Sequence, residues 1–67
     1  MITLTHLDGS PFVLNCEIIR TVEERPDTTI TLLSGDRMVV KEPMKDVVAR
    51  VVEYGRLLRR ATPPMAG

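Results

Sequence analysis

Hydrophobic positions recur at a period of two over most of residues 1–41 and at spacings of three and four over residues 44–58, a pattern that predicts strands followed by a helix. In residues 1–7, Ile2, Leu4 and His6 fall on one face and Met1, Thr3, Thr5 and Leu7 on the other, as in a half-buried strand. Asp8-Gly9-Ser10-Pro11 stops it, because Gly9 permits positive φ and Asp8 can bond its own backbone. Phe12-Val13-Leu14 resumes as a second strand and closes a hairpin. Asn15-Cys16-Glu17 is a polar break suited to a bulge or a single helical turn, and residues 18–24, rich in β-branched side chains, read as a third strand. After the turn Arg25-Pro26-Asp27, residues 28–33 alternate with Ile30 and Leu32 on one face. Ser34-Gly35-Asp36 then turns the chain into a fifth strand over residues 37–41, so that strands four and five form a hairpin.

Pro43 is a first-turn proline, its φ preset for a helix and no ladder N–H lost. Over the next seventeen residues, 44–60, an apolar stripe of Met44, Val47, Val48, Val51, Gly55 and Leu58 marks an amphipathic helix. Val52 and Tyr54 widen that stripe to either side, so the helix is expected to touch more than one surface. Asp46 and Arg50 are spaced for an i,i+4 pair on the polar side. Gly55 costs about 1 kcal/mol relative to alanine, which implies a close backbone approach or a bend there. The fold class predicted is α+β: a small five-stranded antiparallel sheet, a meander of hairpins, followed by one C-terminal amphipathic helix. Residues 1–60 form one small domain, and residues 61–67, with Pro63-Pro64, read as a mobile tail.

Size changes the picture next. The 67 residues leave room for a single domain, and at this length only about 60% of the unfolded chain's surface is buried on folding. One cysteine, Cys16, and one histidine, His6, supply neither an intrachain disulfide nor a Cys/His zinc cage, so self-association is the expected support for the core. The net charge of +0 conceals an asymmetry: residues 1–40 sum to −3 and residues 41–60 to +3. That balance is not the basic excess of a duplex DNA binder. Arg56, Arg59 and Arg60 stand where a helix C-terminus favours cations. No apolar run approaches the roughly 18–20 residues of a membrane span, and residues 1–7 lack the charged start and apolar stretch of a signal peptide. A single thiol suits a reducing compartment, and a cytoplasmic location is expected.

Candidate chemistry is sparse. His6 is the one side chain with an ordinary pKa near neutrality, yet it stands alone on a strand; Cys16 has no base placed beside it by the sequence. Glu23 and Glu24 are adjacent on a strand and therefore point to opposite faces, which is wrong for a shared acid–base site. Gly9, Gly35 and Gly55 are isolated, unlike the clustered glycines of a phosphate-binding loop. One Phe and one Tyr do not make a base-stacking platform. The reading is a non-enzymatic protein without metal or cofactor. Arg50, Arg56 and Arg60 share much of the helix's polar side with Glu53 among them, and read either as a solubilising face or as a partner-docking patch.

The whole order of segments carries a family resemblance. The opening Ile-x-Leu-Thr-x-Leu-x-Gly, then Asn15 with Glu17-Ile18, then Pro26-Asp27-Thr28, Gly35 and Val39-Val40-Lys41-Glu42 closely resemble the FlbD family of small flagellar proteins, also called SwrD, over about residues 1–60. The resemblance implies an accessory protein on the cytoplasmic side of the flagellar motor that supports swarming by raising motor power through the stator or basal body. It implies no agreed active site. A second similarity, to the carbon-storage regulator CsrA, rests on the first 22 residues and on five strands preceding one helix. It implies an RNA-binding regulator of flagellar genes. His6 and Lys41-Glu42-Pro43, however, stand where that family carries its RNA-gripping arginines.

Overall fold

The computed structural model describes residues 1–61, with side chains through Leu58. Its elements run β1 (Ile2–Thr5), β2 (Pro11–Leu14), a single 3-10 turn (Cys16–Ile18), β3 (Ile19–Glu24), β4 (Thr28–Leu32), β5 (Arg37–Val40) and α1 (Met44–Ala61). Each expected strand and the helix is present, and α1 continues without a break through Gly55. Ala61, expected in the tail, closes the helix; the rest of the expected mobile tail lies outside the described residues.

The expected single sheet does not form. The five strands make two antiparallel sheets, β1-β2 and β3-β4-β5. The cause is local and sits at Asn15. Its side chain accepts a hydrogen bond from the Glu17 N–H at 3.0 Å and caps the 3-10 turn, so the chain turns between β2 and β3 instead of folding back as a hairpin. The two sheets meet at one corner, where an isolated antiparallel bridge joins His6 to Val40 and the Lys41 N–H donates to the Thr5 carbonyl at 2.9 Å.

Within each sheet the alternation follows the sequence. Ile2 pairs with Leu14 and Leu4 with Phe12 across the first hairpin, while Val22 pairs with Ile30 and Ile30 with Met38 in the second sheet. The inward side chains Ile2, Leu4, Leu14, Ile30 and Val40 join Val47 of α1 in one core. Both tight turns place glycine at positive φ, +95° at Gly9 and +94° at Gly35, where a Cβ would strain the backbone. Asp8 reinforces the first turn by accepting from the Ser10 hydroxyl and N–H, and these bonds hold its carboxyl below the usual value. In β3 a bulge between Ile19 and Thr21 keeps both Ile19 and Val22 on the core side.

The helix departs from expectation in which part of its stripe is covered. Val47, Val51 and Tyr54 pack on the strands, whereas Met44, Val48 and Val52 are exposed. The expected Asp46–Arg50 pair is absent among the described ion pairs, because Arg50 reaches back to the strands.

Candidate functional site

The polar chemistry of the molecule gathers where α1 meets the strand ends. Pro43 ends the connection from β5 and its carbonyl accepts from the Asp46 and Val47 N–H groups, so the first helical turn begins there. One residue earlier, Glu42 points back to β1. Its carboxylate accepts from the Thr5 N–H at 3.0 Å and from the Thr5 hydroxyl at 2.8 Å. The Arg50 guanidinium donates to the Thr3 carbonyl at 2.7 Å and lies 3.4 Å from the same carboxylate. Glu42 and Arg50 thus brace β1 against the start and middle of α1. The Glu42 side chain is only 13% exposed. Burial alone would raise its carboxyl, but the bonds from Thr5 outweigh that and, with the Arg50 charge, hold it below the ordinary 4.5.

A second carboxylate closes the other flank. Glu24, the last residue of β3, accepts from the Met44 N–H at 2.7 Å and caps the helix from a distance of twenty residues in sequence. Removing this acceptor in Glu24→Ala is expected to cost about 1 kcal/mol. Urea unfolding read by circular dichroism checks it, and an unchanged midpoint would mean that water caps α1 equally well.

Two shallow clefts flank this capped end. One, of about 290 Å³, lies among Leu7, Glu24, Pro26, Thr28, Lys41 and Pro43. The other, of about 360 Å³, is lined by Val22, Glu23, Glu24, Arg25 and Met44.

The candidate residues are placed apart. His6 stacks on Phe12, ring centroids 4.0 Å apart and planes at 19°, which gives it a packing role at the corner between the sheets. Cys16 is a half-buried free thiol packed against the core. Arg50 belongs to the brace. Arg56 is exposed and lies 3.8 Å from Glu53 in an i,i+3 pair; the Arg60 side chain is outside the described ones. Among the described residues no group of three or more His, Cys, Asp or Glu is set to hold a metal ion, and no helix is long and apolar enough to cross a membrane.

Residues 1–58 match the family FlbD, described as flagellar and swarming motility proteins. The chain belongs to the FlbD family. No curated protein and no solved structure matches it. The FlbD match covers both sheets, the brace, the Glu24 cap and all but the last turn of α1. Glu42, the centre of the brace, was not singled out by its residue type. The signal that could have found it is its place in the Val39-Val40-Lys41-Glu42 segment, one of the pieces through which the resemblance runs. Glu24 gave no such signal: an adjacent pair of glutamates at a strand end reads as a solvated edge.

Proposed function

We propose that this FlbD-family chain is a non-enzymatic accessory protein that supports flagellar motility by raising the power of the motor, through contact with a stator or basal-body protein at the motor's inner face. The observation that carries this reading is the family match over residues 1–58. The fold supports it by presenting charged side chains on the outward side of a helix whose other side is held rigidly against two sheets. Arg56 is the exposed member of the proposed docking patch, which the sequence spacing extends to Arg60. Arg50 contributes through its bonds to Thr3 and Glu42, by fixing where the helix lies.

The test is purification of a functional tagged copy from cross-linked motile cells. Enrichment of a stator or basal-body protein, unchanged by nuclease, is the expected result. Recovery of flagellar leader transcripts in place of motor proteins would overturn this reading in favour of the RNA-binding one. Charge reversal at Arg56 and Arg60 is expected to reduce swarming while protein abundance stays unchanged. Wild-type torque and wild-type abundance together would remove these arginines from the docking surface.

A further inference from the structure

The strand β3 and the exposed part of the α1 stripe lie side by side, and we infer that together they form a two-fold interface with a second copy of this chain. β3 stands at the edge of its sheet with β4 as its one strand neighbour. It has six residues and no proline, whereas the β2 edge has four residues and begins at Pro11. The flank of α1 nearest β3 follows from two anchors. Arg50 reaches Thr3 of β1 on one flank, and Met44, capped by Glu24, shares a groove with Val22 of β3 on the other. At 100° per residue, Val48 and Val52 continue from Met44 along that second flank. Their exposures are 39% at Met44, 47% at Val48 and 46% at Val52, so an apolar row overlooks the free edge.

Charge decides what covers it. An antiparallel pair of identical strands around a two-fold axis normal to the sheet must place same-face residues opposite one another. Centred on Thr21, the register puts the bulge between Ile19 and Thr21 next to the axis, where it breaks the regular pairing; centred on Glu23, it sets that carboxylate against its own copy. Centred on Val22, it sets Val22 against Val22 and brings Arg20, at the bulge, beside the other copy's Glu24. The Arg20 side chain has no hydrogen bond or ion pair among the described residues. The second copy supplies its counter-charge and fills the groove of about 360 Å³ beside Met44. Both helices then lie on the same face of a six-stranded sheet, antiparallel, with their Met44, Val48 and Val52 rows in contact. This adds apolar burial to a core that has six buried hydrophobic side chains among the described residues.

The inference is independent of the motor reading, since it concerns purified protein. In a Cys16→Ala background, Val22→Cys is expected to give a covalent dimer within minutes of mild oxidation, while Val13→Cys, exposed on β2, stays monomeric. Light scattering over a dilution series should show a dimer whose dissociation constant rises about tenfold or more in Val48→Glu, with the helical circular dichroism retained. A chain that is monomeric at the highest concentration overturns the interface. So does a dimer that cross-links equally well through Val13→Cys, or one whose dissociation constant is unmoved by Val48→Glu.

Discussion

Leu4→Ala is expected to remove most of the folded population at 37 °C. Leu4 is fully buried at the centre of the core, facing Phe12 across the first hairpin and packed in the cluster that includes Ile30, Val40 and Val47. Truncating a buried leucine costs about 2–5 kcal/mol, through lost transfer energy and the cavity left behind. A domain of this size has only about 3–10 kcal/mol of stability to lose. Because Leu4 belongs to β1 and its core partners to both sheets and the helix, no single element can relax to close the gap without moving the others. Thermal unfolding by circular dichroism measures the effect. A midpoint lowered by less than about 5 °C would mean that the two sheets are not held together through this side chain.

Glu42→Ala is the second large effect. Its carboxylate receives the Thr5 N–H and hydroxyl and stands beside Arg50. Hydrogen bonds to a charged acceptor are each worth about 1.5–3 kcal/mol, and a donor left unpaired adds its own penalty. Since the two bonds share one partner and the site is half-buried, the expected cost is about 2–3 kcal/mol, or about 10–20 °C in Tm for a domain this small. Thr5→Val removes the hydroxyl and leaves the N–H bond, so it should cost about half as much. The same carboxylate carries a pH signature. Held below 4.5 in the folded chain, it gives up its proton more readily there than in the unfolded chain. Its contribution is therefore complete above the ordinary value and is lost as pH falls through the lower folded one. Glu42→Gln should flatten the loss of stability as pH falls below the ordinary 4.5, relative to the unmodified chain. An equal acid slope in the two proteins would mean that the carboxylate is not ionised in its contact with Thr5.

These two residues also mark the limit of what could be read from the chain alone. Leu4 was legible. Period-two alternation assigns it to the inward face with Ile2, as it assigns Ile30, because strand periodicity is a local property that burial amplifies. The helix start was legible from Pro43 and the change of period. The partition into two sheets was not, because at Asn15 a bulge and a 3-10 turn are both compatible with the same residues. The 3-10 turn parts the sheets, and what holds them together again is the long-range corner at His6 and Val40, which no local pattern announces. The brace was illegible for the same reason: Glu42 and Thr5 are 37 residues apart, and no spacing rule connects them. Arg50 illustrates the consequence for function. As a sequence position it pairs with Asp46 and belongs with Arg56 and Arg60; in the fold its guanidinium is committed to Thr3 and Glu42. The width of the helical stripe was legible, but which half of it the chain itself covers depends on where β1 and β3 lie beneath it.

The proposed action on motor output is open to measurement as torque under load. In a flagellated cell lacking this gene, tethered-bead measurement is expected to show reduced torque per motor with the number of flagella unchanged, restored by the intact chain. Normal torque per motor with fewer flagella would contradict the claim and place the protein in flagellar assembly or gene expression.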